Sequence, residues 1–314
     1  MPNPTRSDVH ISVPLTNLSV AFIQKSEDFI ADTVFPPVPV DKQADKYYVF
    51  PKDNWFRSSS QKRSAGSESA GGGYNLTTDN YSCDVIAVHK DVSDQVRANS
   101  DSVLSPDRTA TRFVTQQNLL RKELDWQTKY FTNGVWGADF TPSILWDAAN
   151  SIPIQDIKLK IRAIRTLTGF TPNTLTLSPD VLNVLENHDD IMERIKYTQR
   201  GVVSLDLLAN LFGVSRVLEA KAIKNTAAEG QSAAMSDIFT KHALLTYAPS
   251  APALEEASAG YTFNWKQFSG AKDGTRIKKF RMEHLESDRI EGEMAYDQKI
   301  VAADCGIFFE NVIS

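Results

Sequence analysis

The sequence predicts an α+β chain, and three observations carry that expectation. A capped helical pattern opens at Ser105-Pro106-Asp107 and runs uninterrupted to Asn133-Gly134. Between Tyr74 and His89, residues Tyr81, Cys83, Val85 and Ala87 recur at a period of two, as a strand requires. Beyond residue 150, capped helices alternate with short apolar strands, the order of a sheet with helices packed on it. The 314 residues are 41% hydrophobic and 23% charged, enough apolar length to bury one large core or two modest ones.

Residues 1–45 alternate turn formers with short apolar clusters, as in Val13-Pro14-Leu15 and Val34-Phe35-Pro36-Pro37-Val38-Pro39-Val40. In the second cluster three prolines in four positions, each fixing φ and removing an amide donor, exclude a helix and a central strand, and the whole stretch reads as an extended arm. An arm this apolar must be covered, and the expected cover is another subunit. Residues 46–90 read as a long hairpin, one side at Lys46–Phe50 and the other at Tyr74–His89. Between them Ser58 to Gly73 is serine- and glycine-rich, cannot pack a core, and reads as a flexible tip. A structureless stretch longer than about 12–15 residues is uncommon in a compact domain and points to function.

The long helix, 105–133, has Ser105 as N-cap, Pro106 at the first helical position and Asp107 complementing the dipole. Phe113, Leu120, Leu124 and Phe131 form its expected buried stripe, and Asn133-Gly134 its left-handed stop. At 1.5 Å per residue the rod is roughly 40 Å long. A second helix spans Pro153–Thr168, with Ile154, Ile157, Ile161 and Ile164 opposed by Lys158, Lys160, Arg162 and Arg165, and stops at Gly169. Thr174–Leu177 reads as a strand leading into Ser178-Pro179, a cap for a short helix. Ser204 caps another helix, Leu205–Phe212, followed by a strand-like stretch from Arg216 to Ile223. From Arg276 the chain turns strand-rich, with Arg276–Met282 and a terminal Lys299–Ile313.

The formal charge is -5, from 34 basic and 39 acidic residues, so no broad cationic field suits direct nucleic-acid readout or an anionic membrane. No apolar run nears the ~18–20 residues of a membrane span and no secretory leader opens the chain, so the expected product is unexported and makes no membrane contact. Cys83 and Cys305 stand without a CxxC or Cys/His pattern and read as reduced structural thiols.

Signatures of phosphate-binding loops, dinucleotide sites, zinc proteases and serine hydrolases do not occur. Gly71-Gly72-Gly73 lacks a preceding buried strand and a following capped helix, which excludes a phosphate cradle. His188-Asp189-Asp190, with Glu186 and Glu193 nearby, resembles a metal cluster only in composition, since consecutive residues diverge in direction. No catalytic residue, cofactor or metal site is expected. Near the C-terminus Glu283, Glu286, Asp288, Glu291 and Glu293 alternate with Arg281, His284 and Arg289, either self-paired or facing a neighbour. The hairpin tip holds Lys52, Arg57, Lys62 and Arg63 against Asp53, beside Trp55 and Phe56. Adjacent aromatics with arginine are typical interface anchors. Phe35, Trp55, Phe56, Arg57, Lys62, Arg63, Glu283, Glu286 and Arg289 are therefore the expected contacts between subunits.

The order of arm, long hairpin, spine helix and α+β domain with a strand-rich return resembles the major capsid proteins of tailed bacteriophages, which carry the Hong Kong 97-type fold. The closest likeness lies in Val34–Val40 through Lys46–Phe50 and Trp55-Phe56-Arg57, and in the terminal Lys299–Ile313. The resemblance implies an N-arm at 1–45, an E-loop at 46–90, a peripheral domain at 91–170 with its return at 263–298, and an axial domain at 171–262 closed by 299–314. It implies hexamers and pentamers of an icosahedral shell around double-stranded DNA, held without sequence readout, in a virion assembled in the host cytoplasm. Portal and scaffolding or decoration proteins are the further partners. Some relatives cross-link the hairpin lysine to an asparagine, but Lys52 and Lys62 have no identifiable acceptor here. An arm without a leading helical segment implies no proteolytic processing. An encapsulin-like compartment shares the fold, although such subunits begin with a helix. A soluble hydrolase or ligand-binding domain is the reading from another class, and it leaves the basic tip and apolar arm unexplained.

Overall fold

The computed structural model describes residues 24–100, 105–195, 203–252, 256–270 and 274–314. The first 23 residues of the expected arm, and the processing expectation attached to them, lie outside these. A 3₁₀ turn at Ser26–Asp28 leads into a short helix α1 (Ala31–Val34), then β1 (Pro37–Val40) and β2 (Ala44–Val49). One helical turn, α2 (Lys52–Trp55), precedes the exposed tip, and the chain returns through β3 (Thr77–Ser82) and β4 (Asp84–Ser93). Helix α3 (Asp94–Asn99) comes before the spine helix α4 (Pro106–Tyr130), and β5 (Ala138–Phe140) follows. Next are α5 (Pro153–Thr168), β6 (Thr174–Leu177), α6 (Pro179–Glu186), α7 (Asp189–Ile195) and α8 (Leu205–Phe212). The remaining elements are β7 (Arg216–Glu219), β8 (Ile223–Asn225), β9 (Met235–Asp237), β10 (Ala243–Thr246), β11 (Gly260–Trp265), α9 (Lys266–Ser269), β12 (Thr275–Met282), β13 (Ser287–Ile300) and β14 (Gly306–Phe309).

Two sheets organise the molecule. In the first, the long β13 pairs antiparallel with β4, and also with β12 and then β11, while β1 adds parallel to β11 at the edge. Pro37 and Pro39 are compatible with that position because an edge strand leaves alternate amides unpaired. The second sheet has the order β5-β14-β10-β6-β7. Its strands alternate between two cores. Ala243, Leu245, Ile307 and Phe309 pack with α5, α6, α7 and α8 on one face, whereas Leu244 and Phe308 join Trp126, Tyr130 and Phe239 on the other. The period of two in these short strands is what separates the cores.

The caps fold as the sequence predicts. Ser105, Ser178 and Ser204 each accept a backbone N–H of the first helical turn, and Gly169 and Gly213 take left-handed φ of 80° and 81° at helix ends.

Beyond the arm five expectations change, the first being the hairpin side Tyr74–His89, which splits at Cys83 so that β3 stays with β2 while β4 pairs with β13 in the first sheet. The spine helix stops at Tyr130, where Trp136 Nε1 donates to the Tyr130 carbonyl at 2.7 Å and Phe131 leaves helical geometry. Of its expected stripe, Phe131 is buried and Leu120 and Leu124 pack against the second core, but Phe113 is 47% exposed and Val114 turns inward with Ala110, Trp126 and Tyr130, because β13 meets the Val114 side, where a Cβ at Gly292 would overlap Val114. The terminal stretch is two strands, since Lys299 and Ile300 end β13 and a 3₁₀ turn at Ala303–Cys305 hands the chain to the second sheet. Arg216–Ile223 likewise splits between β7 and β8, the latter paired with β9.

The arm differs most. Phe29, Ile30, Ala31, Val34 and Phe35 are buried in the chain's own second core, so an intrachain cover replaces the expected neighbour. Phe35 is fully enclosed, its ring centroid 4.7 Å from that of Tyr130 and within 6.2 Å of those of Trp126 and Trp136.

Candidate assembly surfaces

The hairpin β2–β3 ends in a platform of unburied rings. Phe50, Trp55 and Tyr74 stand with centroids 5.6–6.1 Å apart, Trp55 is 60% exposed, and the tip from Arg57 to Gly73 is exposed throughout. Phe56, 67% exposed, has its ring against Gly169 at the end of α5. Lys52 pairs with Asp304, which anchors the base of the tip to the turn before β14. The expected contacts Trp55, Phe56, Arg57, Lys62 and Arg63 thus share one outward element, and exposed rings with cations are the composition of an interface anchor.

The acidic stretch near the C-terminus is mostly self-paired. Arg289 holds Asp91 through two hydrogen bonds of 2.8 and 2.9 Å, and that guanidinium lowers the Asp91 carboxyl below its usual range. Arg281 holds Asp94 in the same bidentate way, and Glu293 takes Arg276 and Lys278. Arg289 is therefore committed within its own chain, as is Phe35. Glu283 and Glu286 remain exposed at the turn joining β12 to β13.

One grouping had no place in the sequence reading. Glu123, fully buried on the spine helix, accepts the amides of Ile30 at 3.1 Å and Ala31 at 2.9 Å, the first turn of α1. Beside it Lys122 pairs with Asp32, and at the other end of α1 Arg216 donates to the Val34 carbonyl at 3.1 Å. An anion at the helix start and a cation at its end both oppose the partial charges there. Burial pushes the Glu123 carboxyl up to about 7, against the two amides and Lys122 that favour its ionised form. A signal for it existed: Glu123 lies three and seven residues before Trp126 and Tyr130, on the buried stripe.

The arrangement nearest to catalysis is Ser151 beside His188, Oγ to Nε2 at 2.7 Å. His188 Nδ1 accepts the Asp190 amide, so Nε2 carries the proton and donates to Ser151, which itself donates to the Ala148 carbonyl. A base that already holds its proton cannot take one from the hydroxyl, so the pair fixes a turn. Among the described residues no group of His, Cys, Asp and Glu is placed to hold a metal ion, and no helix is long and apolar enough to cross a membrane.

No family model matches the chain. Two curated relatives align nearly end to end. The major capsid protein of Burkholderia phage BcepMu is 24% identical over 309 residues, covering 95% of each chain. That of Pseudomonas phage JBD67 is 22% identical over 310 residues, covering 97% of each. Among solved structures, a phage-related protein from Bordetella bronchiseptica RB50 superposes with a TM-score of 0.70 at 20% identity, over 92% of this chain and 93% of that one. The cyanophage P-SCSP1u capsid gives 0.59 at 11%, over 98% and 95%. An encapsulin from Synechococcus elongatus PCC 7942 gives 0.55 at 13%, over 97% of both. The chain thus has the Hong Kong 97-type fold of phage capsids and is similar, nearly end to end, to phage major capsid proteins.

Proposed function

We propose that this chain self-assembles into hexamers and pentamers of an icosahedral phage shell around double-stranded DNA. The observation that supports the reading is a capsid-like fold, matched nearly end to end, whose hairpin tip leaves Trp55 and Phe56 uncovered. In this reading the part of residues 46–90 up to Ser82 is the E-loop, the first sheet with β4 and the spine helix make the peripheral domain, and the second sheet makes the axial domain at the centre of each ring. The tip lies over a neighbouring subunit, where its rings are buried and Arg57, Lys62 and Arg63 meet acids such as Glu283 and Glu286. Each contact is weak alone and strong in sum, because every copy has several neighbours. Portal and scaffolding or decoration proteins complete the particle, which assembles in the host cytoplasm.

Electron microscopy and size-exclusion chromatography of the chain, alone and with its neighbouring genes' products, test this. Closed shells or capsomer rings are expected, and a stable monomer in both conditions overturns the proposal. The fold similarity to an encapsulin supports a second reading, a compartment for protein cargo. Nuclease-protected DNA inside the shells separates the two.

A further inference from the structure

Helix α5 is amphipathic, yet its outer face is unlike a solvated one. Lys158, Arg162 and Arg165 are exposed, and none has an ion-pair partner among the described residues. Leu159 and Leu167 stand between them, 58% and 48% exposed. Lys160 is engaged, its ammonium 3.9 Å above the Phe140 ring. Elsewhere on this chain of net charge -5 many exposed cations are matched, as Arg281 is by Asp94.

A complementary surface lies on the same domain. A cleft of about 330 Å³ opens between the Trp146–Ala149 segment and the α6–α7 junction, with Trp146, Ala148 and Val184 as apolar lining and Asp189 on its rim. One turn further along α7 stands exposed Glu193, and Met192 beside it is 45% exposed. Glu186 ends α6.

We propose that the basic, leucine-bearing face of α5 in one copy docks on the acid-rimmed α6–α7 cleft of the next copy around the ring. Charge is opposite on the two faces, and each carries uncovered apolar side chains. Because the faces are different surfaces of one chain, the contact is head-to-tail, the kind that closes rings. Packaged DNA fits the face less well, since a phosphate backbone gains nothing from Leu159 and Leu167. The inference rests on the shell reading and names a second contact, separate from the hairpin tip.

The test uses the full chain under conditions where the unaltered protein forms shells. Failure of that protein to assemble removes the shell reading itself. The double variant Arg162→Glu/Arg165→Glu is expected to keep its circular dichroism spectrum and melting temperature while the shell and ring fraction falls about tenfold or more, since like charges would face each other. The milder Arg162→Gln/Arg165→Gln serves if the reversal disturbs folding, and a smaller loss is expected. Adding Glu186→Arg/Glu193→Arg to the α5 reversal restores opposite charge and is expected to recover assembly. Normal assembly of the α5 reversal overturns the inference while leaving the shell reading intact. Loss without recovery in the four-residue swap overturns the pairing with α6–α7. Intact shells holding less DNA overturn it in favour of a nucleic-acid contact.

Discussion

Glu123 is the residue at which burial, charge and backbone meet. Its folded acidity, near 7, lies above the ordinary carboxylate value of about 4.3. Its contribution to stability is therefore complete below that ordinary value and is lost as the pH rises through about 7, a change on the order of 3 kcal/mol. Asp32 facing it from the arm adds to the upward shift and Lys122 opposes it. Calorimetric melting of the soluble subunit should thus decline between pH 5 and 8, and Glu123→Gln, neutral throughout, should flatten that decline. An equal slope in both proteins refutes the assignment. The buried thiols make a second case: burial pushes Cys83 up to about 12 and Cys305 up to about 11, so neither is a ready nucleophile at pH 8. A thiol reagent should label both only after denaturation, and rapid labelling of the native subunit would count against this.

At the scale of elements, close approach and strapping decide stability. Gly292 lets β13 sit against the spine helix, and Gly306 lets β14 lie on the Trp136 ring, where an added Cβ would overlap either neighbour. Gly292→Ala should lower stability by about 1–3 kcal/mol in urea titration, the usual result of overpacking. The arm is held at both ends of α1, and its apolar side fills the aromatic core. Phe35→Ala should therefore destabilise the isolated subunit by roughly 3–5 kcal/mol. A residue that acted only between subunits would leave that titration unchanged, so the measurement separates intrachain packing from assembly.

For the whole molecule, the division is between a body in which many charges and rings are paired internally and several uncovered faces. The hairpin tip is the chief of these, and Trp55→Ala/Phe56→Ala/Arg57→Ala should leave folding stability within about 0.5 kcal/mol, as exposed sites do. The same variant should reduce shell formation roughly tenfold or more, because tryptophan and arginine anchors carry interface energy. Sedimentation of assembly reactions reads the second quantity and thermal melting the first. An assembly-competent triple variant would show that the tip is a cover for its own chain.

Local rules written in one stretch of chain were legible before any contact was known. Ser105, Ser178 and Ser204 start helices because a side-chain oxygen can reach an amide two or three residues on. Gly169 and Gly213 end them because only glycine enters the left-handed region without a Cβ clash. The isoleucine stripe of α5 and the exposed glycine-serine tip are of the same kind. Contacts between distant segments had no local signal. That Phe35 belongs to its own core, that Arg289 answers Asp91 and that the spine turns Val114 inward instead of Phe113 depend on pairings across some 80 to 200 residues. The sequence by itself determined the α+β class, the helix starts set by the serine caps, the stops at Gly169 and Gly213, and the uncovered hairpin tip. The tertiary structure decided where the arm is buried and which charges remain free, because burial and ion pairing are properties of what comes to lie alongside a residue.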